Sequence, residues 1–221
     1  IGSYLGTHVC VAQLLGANKI YAYDCNKLVT DKLNNTVKIN NWDNVIVNNI
    51  GLSDKKNKFK FKQIDYNISA SYIEETHNNY VPEAHFVDDV NVDSLNSLID
   101  LNNFSEDSNF LIKIDVEAHE LYALNGMSNI LQDKRTKNLI IELAPLLLKD
   151  FNIVISIIDL IISHGFNKIF LIFDVLIHHW DGNVFDTSLC EQLTRDSLIT
   201  RLRQPIDIGK PSLLEVAFEK E

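Results

Sequence analysis

LIKIDVEAHELYAL, running from Leu111 to Leu124, decides how the rest of the chain is read. The apolar run Leu111 to Ile114 has strand character and stops on Asp115. Glu117, His119 and Glu120 follow as the chain turns into a helix expected from about Ala118 to Leu131. An open α/β sheet binds its ligands beyond the carboxyl ends of such strands, so these acids stand where chemistry is done. Three carboxylates at one strand-to-helix junction repel one another unless something compensates. The compensation is either a cationic ligand or Lys113, His119 and the positive end of the helix.

Outward from that junction the pattern alternates. Thr7 to Leu15 is a helix candidate closed by Gly16, Lys19 to Asp24 a strand ending on an acid, and Asn26 the cap of a helix running to Asn35 or beyond. Asn44 to Ile50 is a third strand-like segment, and Phe59 to Lys62 alternates like a half-exposed hairpin or edge strand. Asp65 to Leu101 reads as irregular and polar. Strands are expected at Phe110–Asp115, Leu139–Leu143, Ile169–Phe173 and Leu213–Phe218. In Phe151 to Phe166 the polar residues Asn152, Ser156, Asp159 and Ser163 fall on one helical stripe with Gly165 as the stop, so the stretch is a mostly buried helix and not a membrane span. Strands alternating with helices imply a largely parallel sheet covered on both faces. With no internal repeat and no Pro/Gly-rich linker, residues 1–221 read as one domain, and the long excursion at 174–212 as a lid or acceptor-binding insertion.

A chain of 221 residues that is 46% hydrophobic can bury a substantial core. Its net charge of −10, without a Lys/Arg block, argues against nucleic acid and against anionic membrane surfaces as partners. Cys10, Cys25 and Cys190 have neither zinc-ligand spacing nor a disulfide framework; they read as free thiols of a reducing, cytoplasmic compartment. The chain opens directly on a glycine turn, so the first strand of the sheet is expected to lie outside it.

Asp24, some twenty residues after that turn, suits a ribose, because its two oxygens can accept from adjacent sugar hydroxyls; a solvent-facing loop acid is the plain alternative. Gly2 and Gly6 let backbone approach a ligand, but their spacing is not the dinucleotide pattern, which argues against an NAD-dependent oxidoreductase. His119 can accept a proton or simply cap the helix. His178 and His179 invite a metal reading, yet no third ligand has recognisable spacing, and no metal is expected. Glu142, at the end of the next strand, is a site residue or a capped structural acid.

Taken together the segments resemble the FkbM-type S-adenosylmethionine-dependent methyltransferases. Ile112 to Glu120, followed by Leu124-Asn125-Gly126-Met127, is similar to the family's "IKIDVEGAE…VLKGM" signature. Ile1 to Gly6 resembles "IGANIG" of the cofactor loop, cut just after its customary acid; Ala22-Tyr23-Asp24 resembles the strand tip that usually ends in Glu. Gly51 to Asp54 resembles "ALSD", Val90 to Leu95 the "V…TLD" stretch, and Ile140-Ile141-Glu142 the "IIIE" strand. In place of the signature's Gly-Ala the chain has Ala118-His119.

The resemblance implies a class I methyltransferase fold, Rossmann-like, with a mostly parallel seven-stranded sheet, one antiparallel strand near its edge and helices on both faces. It implies S-adenosyl-L-methionine as cofactor. Backbone near Gly2, Tyr4 and Gly6 would pack against it, Asp24 would hold its ribose, and Ser53 and Asp54 would lie near its adenine. Asp115 would sit between methyl donor and acceptor as the first candidate base, with His119 the second and Glu117 beside them. The expected acceptor is a hydroxyl on a sugar or other small molecule. A nucleoside-binding domain of the same fold that has lost catalysis is the alternative.

Overall fold

The computed structural model describes residues 1–78, 84–174, 191–207 and 213–220. In chain order its elements are α1 (Thr7–Leu14), β1 (Ile20–Asp24), α2 (Lys27–Ile39), β2 (Val45–Asn49), β3 (Gly51–Leu52), β4 (Asn57–Gln63), β5 (Tyr72–Ile73), β6 (His85–Asp93) and α3 (Leu95–Leu98). There follow β7 (Phe110–Ile114), α4 (Glu120–Asn125), α5 (Ser128–Gln132), β8 (Thr136–Leu143), α6 (Phe151–Ser163), β9 (Phe166–Asp174), β10 (Glu191–Leu193), α7 (Arg195–Asp207) and β11 (Leu214–Lys220).

Local chemistry accounts for most boundaries. Asn26 caps α2 by accepting from the Leu28 amide at 2.9 Å, and Asp150 caps α6 by accepting from Asn152. Along α6, Val154, Ile157, Ile158 and Ile161 are fully buried, while Asn152, Ser156, Asp159 and Ser163 form the exposed stripe. Gly165, at φ 91°, takes the left-handed conformation that ends it.

The described strands form three hydrogen-bonded sheets: β1-β2, β10-β9-β11-β8-β7, and β3-β6-β4-β5. This corrects the expected single seven-stranded, mostly parallel sheet. β7 pairs with β8 in parallel, but β11 lies between β8 and β9 and runs against both, and β10 folds back on β9, so three of the four pairings in the five-stranded sheet are antiparallel. Residues 1–3 bridge β1 and β7. The Ile1 nitrogen donates to Lys113 O, Asp115 N donates to Ile1 O, and the amides of Gly2 and Ser3 both donate to Tyr23 O. Those bonds hold the carboxyl tips of β1 and β7 side by side without making a strand.

The main core packs β7, β8, β9 and β11 against α4 through α7, with Ile114, Leu139, Ile157, Phe166 and Phe218 among its sealed side chains. A small second core joins α1, α2 and β1 through Val9, Ala22 and Leu33. A third, around Phe61, Ile73 and Val92, knits the four-stranded sheet.

Two further expectations change. The segment expected to be irregular, 65–101, contains the nine-residue β6, paired antiparallel with β4. The single helix expected over 118–131 is two, broken at Gly126-Met127, because Gly126 O accepts from Asn96 N and a Cβ at Gly126 would stand 1.8 Å from Ser53 O. Within the excursion at 174–212, residues 191–207 form β10 and α7; His178 and His179 lie outside the described residues. Among the described residues no helix is long and apolar enough to cross a membrane.

Candidate active site

The tips of β1, β7 and β8 open into one cavity of about 570 Å³. Gly2, Tyr4, Asp24, Asp115, Glu117 and His119 line it, and Glu142 joins them from the tip of β8. Gly6, Ser53 and Asp54 do not.

At the β1 tip, both Asp24 oxygens are held by backbone. Oδ2 accepts from Tyr4 N at 2.8 Å and Oδ1 from Asn26 N at 2.9 Å. Each keeps a lone pair for a ligand. Burial raises this carboxyl above its ordinary range, and the two amides oppose that rise. The turn feeding the tip needs its glycine. Gly2 has φ 69°, and a Cβ there would meet Asp115 O at 1.6 Å. That close approach is what brings Asp24 and Asp115 into one pocket.

At the β7 tip the chain turns through two consecutive left-handed residues, Glu117 at φ 48° and Ala118 at φ 73°. Such conformations cost an L-residue roughly 1–2 kcal/mol each and persist where surrounding structure imposes them. The result is a cluster: one oxygen each of Asp115, Glu117 and Glu142 lie within 4.8 Å of one another. Lys113 partly neutralises it, at 3.6 Å from Asp115 and 3.0 Å from Glu215. Burial, reinforced by the charges of Asp115, Glu142 and Glu120, pushes Glu117 up to about 9. Burial likewise takes Glu120 to about 7, against the hydrogen bond its Oε1 accepts from Val116 N, and raises Glu142. Clustered groups displaced this far mark a site built for charge, either protons or a bound cation.

His119 is buried, at 1% exposure. Its Nε2 meets Ser53 Oγ at 3.1 Å and its Nδ1 meets Thr76 Oγ1 at 3.3 Å. Ser53 Oγ donates in turn to Asp54 Oδ1. Thr76 Oγ1 donates in turn to Ile73 O at 3.3 Å. The ring stacks on Tyr122, and burial lowers its pKa to about 4. His119 therefore ties the β3 tip and the Thr76 segment to α4, with both nitrogens engaged. Ser53 and Asp54, expected near the cofactor, lie behind it.

Sequence reasoning passed over several residues of the wall, among them Ser3, Asn26 and His77. Ser3 sat inside the quoted Ile1 to Gly6 stretch and was read as part of its turn; Asn26 was read as a helix cap. His77, stacked on Tyr72 with ring centroids 3.7 Å apart, comes from the segment read as irregular and had no signal of its own.

Acids from the tips of β1, β7 and β8 thus meet around one cavity in a mixed α/β fold. The family model of the methyltransferase FkbM domain matches residues 1–168, and the chain belongs to that family. A crystal structure of the methyltransferase FkbM from Methylobacillus flagellatus KT has the same fold: the TM-score is 0.55 at 15% identity, over 98% of this chain and 41% of that one. The chain thus spans about two fifths of that protein's length. No curated protein matches it.

Proposed function

We propose that the protein is an S-adenosylmethionine-dependent methyltransferase that methylates a hydroxyl of a carbohydrate or other small-molecule acceptor. The observation that carries this reading is the meeting of Asp24 and Asp115 in one cavity, across a glycine that admits no side chain. The cavity's volume is in the range of small-molecule sites. Its chemistry fits the donor: acceptor oxygens on Asp24 suit a sugar diol, and carboxylates at the β7 and β8 tips suit a sulfonium. When bound, S-adenosylmethionine supplies a methyl group made electrophilic by its cationic sulfur.

The chain's own residues divide the remaining work. Asp24, held rigid by two amides, orients the nucleoside. The Gly2 turn fixes the separation of Asp24 from Asp115, and holding reactants in near-attack geometry is where most of the acceleration arises. Asp115 accepts the proton of the acceptor hydroxyl, which becomes a competent nucleophile only as that proton leaves. Glu117 is protonated near neutral pH and donates instead of accepting; His119 has no free nitrogen to offer. The net charge of −10 supports a small acceptor over nucleic acid. The free thiols of Cys10 and Cys25 support a cytoplasmic setting.

The test is titration calorimetry with S-adenosylmethionine and S-adenosylhomocysteine, followed by labelled-methyl transfer to a panel of sugar and polyketide hydroxyls. Both ligands should bind, and Asp115→Ala should cut transfer at least a hundredfold while leaving S-adenosylhomocysteine affinity within a few-fold (general base catalysis contributes roughly 10²–10⁴). Absence of binding by the unsubstituted protein refutes the reading. Unchanged transfer by Asp115→Ala removes that residue from the mechanism.

A further inference from the structure

Behind the acids of the cavity lies an ammonium shared between two strands. β8 pairs with β7 on one side, with Lys113 opposite Ile140, and with β11 on the other, with Glu142 opposite Glu215. Ile140 and Glu142 are two residues apart, so Lys113, Glu142 and Glu215 share one face of the sheet. Lys113 Nζ is cut off from water and stands 3.0 Å from Glu215 Oε1 and 3.6 Å from Asp115 Oδ2. Neither contact has hydrogen-bond geometry, so the ammonium is held by charge and is not locked to one partner. Asp115 lines the cavity; Lys113 and Glu215 stand behind it. A cation buried in that position opposes the entry of a second cation, and in a poorly solvated wall the repulsion is weakly screened. Glu215, the nearer carboxylate, offsets it. It comes from β11, beyond the residues that the family model matches.

We propose that Glu215 is a specificity-determining residue: by holding Lys113 it leaves the charge of Asp115 uncancelled, so that the cavity favours the cationic methyl donor over its neutral demethylated product. The inference rests on the sulfonium donor proposed above and goes beyond it, because it assigns the discrimination between donor and product to a pair of residues outside the cavity. Donor and product differ by one methyl group and one positive charge, and a pocket that fits both separates them chiefly by charge. With Glu215 gone, Lys113 has Asp115 as its remaining ion-pair partner among the described residues. It would close on that carboxylate, and the preference for the donor would fall.

The experiment is calorimetric titration, at one pH and ionic strength, of the unsubstituted protein, Glu215→Gln, Lys113→Met and the double variant with S-adenosylmethionine and S-adenosylhomocysteine. The quantity read is the ratio of the two affinities, which lost packing leaves unmoved because it weakens both ligands alike. Glu215→Gln should lower the preference for S-adenosylmethionine roughly three- to tenfold, and Lys113→Met should raise it by a similar factor. In the Lys113→Met background, Glu215→Gln should change the ratio little, since the charge it acts through is gone. Melting temperatures report the fold; Glu215→Gln keeps the shape of the side chain and decides the question alone where the other variants do not fold. An unchanged ratio in Glu215→Gln overturns the assignment, and so does an effect of equal size with and without Lys113. Failure of the unsubstituted protein to bind S-adenosylhomocysteine overturns the methyltransferase reading itself, and this inference with it.

Discussion

Glu117→Gln separates a protonated acid from an ionised one at the centre of the proposed site. Burial, then the charges of Asp115, Glu142 and Glu120, raise Glu117 from 4.5 to about 9 in the folded chain. An unfolded glutamate ionises near its ordinary value, so between those two pH values the native state holds a proton that the unfolded state has released. Unfolding free energy therefore falls as pH rises through that window, by at most about 1.4 kcal/mol per pH unit from this group. Below the window both states are protonated and the contribution vanishes; above it the penalty is constant. Glutamine has the shape of the protonated acid and cannot ionise. The stability advantage of Glu117→Gln over its parent should thus grow between pH 6 and pH 8, by up to about 2.7 kcal/mol. Partial solvent access at the half-buried side chain makes that figure a ceiling. Urea titrations of both proteins at pH 6, 7 and 8 measure the difference directly. Glu120 and Glu142 are displaced in the same direction but are present in both proteins. A difference that stays constant across the three pH values would refute the claim that Glu117 is protonated in the native cavity.

Two further substitutions probe the frame. Gly2→Ala places a methyl where Asp115 O already sits, 1.6 Å away at φ 69°, so the β1 and β7 tips must separate; S-adenosylhomocysteine binding should disappear in calorimetry, and parent-like affinity would contradict the proposed geometry. His119→Ala removes one hydrogen bond from each of the Ser53 and Thr76 hydroxyls and opens a void, which together should cost about 3 kcal/mol and lower the melting temperature by roughly 6–12 °C. Unchanged melting would show that the Ser53–His119–Thr76 chain contributes nothing.

The strands and helices that carry one clean periodicity were legible in the sequence. β1, β2, β7, β8 and α6 lie where apolar runs, caps and stops put them, because each buries a defined face against the core. β6 was not, because most of its side chains are exposed and Asp88 and Asp89 interrupt its pattern; its reason for being a strand is the lysine-rich β4 alongside, with Lys60 opposite Asp89. The break between α4 and α5 is likewise a tertiary matter, set at Gly126 by backbone from β3 and α3. At the site, the acids of the Asp115 junction were visible as a cluster and Glu142 as an acid of the next strand with its role open, which the parallel pairing of β7 and β8 resolves by setting it beside them; nothing local foretold that His119 would turn inward to Ser53. The substitution of Ala118 for the signature glycine acquires meaning only with its φ of 73°, a conformation glycine adopts freely.

β11 follows every other described strand in sequence, yet it occupies an interior slot, with β8 on one side and β9 on the other. Until its seven residues arrive, both neighbours present bare edges and the main apolar cluster lacks Val216 and Phe218. A chain emerging from the ribosome consequently cannot close its largest sheet until synthesis has passed Lys220. Such late insertion of a non-local strand slows folding and leaves sticky half-sheets exposed in the interval, which makes chaperone capture of nascent chains a built-in cost of this topology.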